Sequence, residues 1–173
     1  MKPIKDSSIK AQYLNGYPEA LLKQVEHLLA SKQSSKWLLN KYPRPHNIGD
    51  LYEYAIALKN QNMRSSSPIS KVIYDDKIHA IKNALGTHSY VSRKQGSKLK
   101  AKNEIRIAAL FRNLPEPFLK MIVVHELAHL KEKEHSKAFY KLCCYMEAEY
   151  HQLEFDLRVY LNHRDHFGDL WKD

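Results

Sequence analysis

Apolar residues recur at helical spacing in the first third of the chain. Leu21, Leu22, Val25, Leu28 and Leu29 follow Pro18, a residue suited to a first turn. Trp37, Leu38 and Leu39 predict a short second helix before the proline-containing loop 42–46. Asp50 and Glu53 have the spacing of a capping box and open a third helix through Tyr54, Ala55, Leu58 and Met63. The polar run from Ser65 to Pro68 ends it. The middle third alternates instead. Residues 71–74 and 77–81 flank Asp75 and Asp76, the pattern of a hairpin, and 87–92 and 104–111 read as further strands around a basic loop containing Gly96. In the last third, Asn113 to Pro117 carries helix-start signals. Phe118, Leu119, Ile122, Val123, Leu127 and Leu130 then make a helix that is apolar nearly all round, so it should lie buried against the sheet. Two more helices are expected at 136–146 and 150–162. Helices, then strands, then helices predict an α+β fold with a small, mostly antiparallel sheet packed on one buried helix, and further helices at both ends. An N-terminal helical segment, 1–66, would pack on a catalytic part, 67–173, to form one compact unit.

A chain of 173 residues can build such a core without staples. The longest aliphatic stretch near its centre, Met121 to Val124, is broken at once by His125 and Glu126, far short of the ~20 apolar residues that span a bilayer. No apolar run follows the basic N-terminus, so no secretory leader is expected. Cys143 and Cys144 are adjacent, and neighbours on a helix point apart. They read as small buried hydrophobes in a reducing, cytoplasmic setting. The net charge of +9 is unevenly spread. From Lys77 to Asn103 there is no acidic residue, while Lys77, Lys82, Arg93, Lys94, Lys98, Lys100 and Lys102 are basic. Such a stretch attracts an anionic partner (nucleic acid, nucleotide or acidic peptide) or serves as a solvated basic loop.

The chemistry concentrates in the apolar helix. His125 and His129 are four apart and so stand on one helical face, where both imidazoles can reach one metal ion. Glu126 follows the first, placed to deprotonate a water held by that ion. Burying two histidines and a glutamate without a purpose would be costly. A third ligand is needed. His135 is favoured, with Glu147 and Glu149 as rivals. Six residues of continuous helix rise about 9 Å, too far to share an ion, so the chain must turn back within residues 131–134, which contain no glycine. Zinc suits nitrogen ligands with one open position. Glu147, Glu149, Glu154 and Asp156 are candidates to hold the ligands from behind. Tyr140 and Tyr150 are either oxyanion donors or core tyrosines.

Residues 123–130, followed by 134–139, closely resemble the YgjP-like metallopeptidase family. Residues 92–102 and 104–107 stand where that family has the loop and strand before its helix, and the likeness continues through 17–19 and 71–74. The resemblance implies a zincin-like fold, with the active-site helix under a small sheet. It implies zinc ligands at His125, His129 and His135 and a catalytic Glu126. SprT-like DNA-repair proteases show a similar two-histidine helix with a later histidine. Metzincins share the gap to the third histidine but have glycine where this chain has Glu132, so it departs from them. Many family relatives carry Trp-Gly-Ser-Cys in the upstream loop, where this chain has residues 94–97.

The leading functional expectation is a zinc metallopeptidase acting on a peptide or protein, with the strand near 104–111 pairing with an extended substrate. The alternative is a metal-dependent nucleoside triphosphate pyrophosphohydrolase. There Arg93, Lys94, Lys98, Lys100 and Lys102 would bind substrate, and the amides of Gly96 and Ser97 would approach phosphates. A nucleic-acid module with a structural metal is a third reading, but such a site would have no use for Glu126 and normally has four protein ligands.

Overall fold

The computed structural model describes residues 9–78, 86–95 and 98–172; for 86–95 and 98–102 it describes the backbone alone. The three expected N-terminal helices form. Pro18 precedes α1 (Glu19–Ala30), α2 is Ser34–Lys41, and the Asp50 side chain accepts the Glu53 N–H at 2.9 Å to start α3 (Leu51–Asn62).

The sheet corrects the sequence reading. Its order is β1 (Ile69–Asp75), β3 (Lys98–Ala108), β2 (Gly86–Gln95). β2 and β3 are antiparallel, from Gln95 opposite Lys98 to Gly86 opposite Ile107. β1 joins the other side of β3 in parallel, with Val72 opposite Ile105 and Tyr74 opposite Ile107. One of the two ladders is therefore parallel, and among the described residues β1 has no hairpin partner across Asp75–Asp76. Alternation identifies a strand but not its partner. The acidic turn signal is spent differently: Asp75 accepts the Lys77 N–H at 2.8 Å and pairs with Arg106 of β3 at 3.1 Å, which fastens the end of the parallel ladder. Residues 79–81 of the expected second hairpin arm lie outside the described residues. The strand expected to reach Phe111 stops at Ala108 and gives way to a short 3₁₀ turn, Ala109–Asn113, with Phe111 fully buried.

Pro115 and Pro117 flank the start of α4 (Glu116–Ala128), where missing N–H groups cost nothing. Nine of its residues are buried, among them Phe118, Leu119, Val123 and Leu127, and it packs on β2, β3 and the helices around it. α5 (Lys137–Met146) and α6 (Tyr150–Phe167) follow, the latter a turn longer than expected and ended at Gly168, whose φ of +88° suits glycine. α6 is the spine of the molecule, touching α1, α2, α4 and α5. The main core joins Leu38, Leu51, Ala55 and Leu58 from the first helices to Ile105, Phe118 and Leu157, while Ala11, Leu14, Val25, Leu29 and Val159 form a second cluster. No described helix is long and apolar enough to cross a membrane.

A buried carboxylate pins α6 to the first helices. Asp156, 0% exposed, accepts from Lys41 Nζ at 2.6 Å, Tyr42 Oη at 2.5 Å and Gln152 Nε2 at 2.8 Å. Asp156→Ala leaves the tyrosine hydroxyl and the ammonium unmatched. Lys41 is 42% exposed and can turn to water, so the expected loss is about 3 kcal/mol, at the low end for a broken buried pair. Denaturant unfolding of the two forms measures it.

Candidate metal centre

α4 ends just where the chemistry needs it to. Its last residue is Ala128, and the backbone tightens beyond it: Leu130 N–H donates to Leu127 O at 3.0 Å and Lys131 N–H to Ala128 O at 3.1 Å. The turn that lacks glycine uses a histidine side chain, because His129 Nδ1 lies 2.9 Å from the carbonyl of Glu132. Among the described residues Lys32 is the one non-glycine with positive φ, so residues 130–135 reverse the chain without a left-handed residue. Ser136 then caps α5, its hydroxyl accepting the Phe139 N–H at 3.2 Å, and this fixes the backbone next to His135.

The result is convergence. One ring nitrogen from each of His125, His129 and His135 lies within 4.8 Å of the others. The Nε2 atoms of His129 and His135 are 3.1 Å apart. Phe139, fully buried, sits beneath all three rings, with centroid separations of 4.9, 4.6 and 4.9 Å. The rival ligands are elsewhere. Glu147 is held by Lys120 at 2.7 Å and accepts the Glu149 N–H, and Glu149 is exposed ahead of α6.

Electrostatics favour the ligand forms. Burial, and then the neighbouring His129 and His135, push the His125 pKa down to about 3; burial also lowers that of His129. A carbonyl can only accept, so His129 carries its proton on Nδ1 and presents a lone pair at Nε2. Glu126 is 2% exposed, burial raises its pKa to about 8, and its Oε2 has no hydrogen-bond partner. An orphaned buried oxygen costs about 1–3 kcal/mol. Three imidazoles beside such a carboxyl group fit a divalent cation, which would meet the unmatched oxygen.

Other expected residues scatter. Arg93 and Lys94 lie on β2, and Lys98, Lys100 and Lys102 on β3, with Arg93 opposite Lys100; their side chains, like Lys82, Gly96 and Ser97, lie outside the described residues. Asp156 serves the helix packing described above. Tyr150, fully buried, places its hydroxyl 2.7 Å from His125 Nδ1. Phe139 was not singled out as a site residue from the sequence. Its signal was its position three residues after the Ser136 cap, on the face that turns back to α4.

Comparison with known proteins agrees with the geometry. A model described as YgjP-like, metallopeptidase domain, matches residues 75–160. The chain is 60% identical over 152 residues to a UTP pyrophosphatase of Escherichia coli (strain K12), covering 86% of this chain and 91% of that one. No solved structure matches it. The α+β fold with its histidine cluster is thus that of a metal-dependent hydrolase. Within that class, the chain belongs to the YgjP-like family.

The raised Glu126 pKa has a consequence for stability. Between its ordinary 4.5 and about 8 the folded metal-free chain holds a proton that the unfolded chain releases. Stability is therefore fully present below 4.5 and is lost as pH rises through 8, by up to about 1.4 kcal/mol per pH unit. The depressed His125 acts oppositely, losing stability as pH falls from 6.5 toward 3, but does so in wild type and variant alike. Melting of the metal-free chain with and without Glu126→Gln should diverge in favour of the variant as pH rises from 5 to 8.

Proposed function

We propose that the chain is a zinc-dependent nucleoside triphosphate pyrophosphohydrolase, releasing a nucleoside monophosphate and pyrophosphate. The observation that carries this reading is the 60% identity, across nearly the whole length, to a relative named UTP pyrophosphatase. It favours this reading over the peptidase expectation, which has the family's description behind it.

His125, His129 and His135 would hold the ion. Imidazole donors suit zinc, whereas magnesium prefers a shell of oxygens. When bound, the ion supplies Lewis acidity, acidifying a water and offsetting charge on phosphoryl oxygen. Glu126 takes the proton from the attacking water and delivers it to the leaving pyrophosphate oxygen. Burial holds Glu126 at about 8 in the metal-free chain; the positive charge beside it brings it into its ionised, basic form at neutral pH. Its unpartnered Oε2 is the atom free for this work. Arg93, Lys94, Lys98, Lys100 and Lys102 supply the positive field for a triphosphate, in keeping with a net charge of +9.

The test is to measure bound metal in the purified chain and then offer it a nucleoside triphosphate panel and a peptide library. One zinc per chain is expected, with UTP giving UMP and pyrophosphate. Glu126→Gln should lower kcat by about 10²–10⁴ while retaining the metal. Peptide cleavage lost in the variant, with nucleotides untouched, would return the peptidase reading.

A further inference from the structure

A line of polar groups runs from His125 away from the open side of the site. His125 Nδ1 lies 2.7 Å from the Tyr150 hydroxyl, and the two rings are inclined by 16°. Tyr150 opens α6 and is fully buried. Glu154 and Arg158 follow at four-residue steps, so all three share one face of the helix. Burial, and then the charge of nearby Glu154, raise the pKa of the Tyr150 hydroxyl. Arg158 Nη2 pairs with Glu154 Oε1 at 3.3 Å, and Arg158 Nη1 donates to the carbonyl of Tyr13 at 2.9 Å.

Donor arithmetic gives this line a direction. A tyrosine hydroxyl has one hydrogen and a carboxylate has none to offer. For His125 to offer Nε2 to an ion its Nδ1 must carry the proton, so the Tyr150 oxygen, 2.7 Å away, must accept it, and the negative charge of nearby Glu154 draws the hydroxyl hydrogen away from His125. Its lone pair then sits on Nε2, as at His129. Cys143, beside the same hydroxyl, offers only a weak sulfur acceptor and does not compete with the carboxylate. Without Glu154 the hydroxyl could equally donate to Nδ1, which would put the proton on Nε2 and block that nitrogen as a ligand.

We propose that Tyr150 is a positioning residue that fixes the tautomer and ring plane of His125, that Glu154 sets the direction of its hydrogen bond, and that Arg158 anchors the pair to Tyr13. The inference rests on the metal-centre reading above and goes beyond it, since it gives the N-terminal segment a part in the site. The backbone of residue 13 supports the layer behind the first ligand. Such outer partners are typically worth 10–100-fold in metal affinity.

The full-length chain, stripped of metal, tests this with two readouts besides activity. One is the zinc Kd, by competition with a chromophoric chelator. The other is the His125 tautomer in the metal-free chain, by nitrogen-15 histidine NMR near neutral pH, with thermal unfolding run alongside. Wild type should bind zinc and show the Nδ1–H form. Tyr150→Phe should weaken zinc binding by about 10–100-fold and mix the tautomers while still melting cooperatively. Glu154→Gln, which keeps the shape but adds a donor, should move both readouts the same way by less, and it serves if the tyrosine variant does not fold. Zinc affinity and tautomer unchanged in both variants, whatever happens to their melting temperatures, would reduce these residues to packing and overturn the proposal. A folded wild type that takes up no zinc would instead remove the metal centre itself, a failure visible before any variant is made.

Discussion

Everything in this molecule is arranged around the burial of His125 and Glu126 in its most apolar helix. A carboxylate that is 2% exposed with one oxygen unpartnered, next to an imidazole held neutral far below its usual range, is costly to fold around. That cost is tolerable only because α4 is buried on all sides by the sheet and the neighbouring helices. The same burial makes the site useful. It favours the neutral forms of His125 and His129, and in a dry setting each charge acts more strongly than it would in water.

The supporting architecture holds the end of α4 in one geometry. His129 closes the turn with its own ring, Ser136 starts α5 at once, and Phe139 comes back under the three imidazoles. These local devices together replace the glycine that a reversal of this kind would ordinarily use. α6 then supplies two kinds of buried polar contact. At Tyr150 it meets the site; at Asp156 it is tied to Lys41 and Tyr42 of the N-terminal helices. One helix thus connects the chemistry to the part of the chain that looks most remote from it.

Much of this was legible in the sequence because helices announce themselves locally. The apolar spacing through Leu21 to Leu29, the Asp50 cap and the four-residue step from His125 to His129 each concern residues within a turn or two of one another. The sheet was read less well for the opposite reason. Whether Val72 pairs with a strand just after it or with Ile105 is a long-range choice that alternation does not encode, and the Asp75–Asp76 signal fits a hairpin as well as a clasp on Arg106. The layer behind His125 was hidden in the same way. Tyr150, Glu154 and Arg158 look like one helix face among several until the fold brings the first of them against His125 and the last against Tyr13.

The division between peptidase and pyrophosphohydrolase is not written in the histidines. Activating a water and accepting its proton serve an amide carbonyl and a phosphoanhydride equally well. What differs is the substrate's charge. A triphosphate brings several negative charges to a site whose own carboxylate, Glu126, opposes them, so further cations must come from elsewhere in the chain. The acid-free stretch from Lys77 to Asn103 is where this sequence concentrates them, and residues 86–95 and 98–103 of it lie on β2 and β3, the strands that pack against α4. An extended peptide needs no such field; it needs an unpaired strand edge. Among the described strands, the order β1-β3-β2 places Arg93 and Lys94 on an outer one. The strand expected to pair with a peptide, near 104–111, is instead the inner strand β3, bonded to β1 on one side and to β2 on the other through residues 104–107, so it has no free edge there to offer, while the lysine- and arginine-rich composition of 93–102 favours an anion.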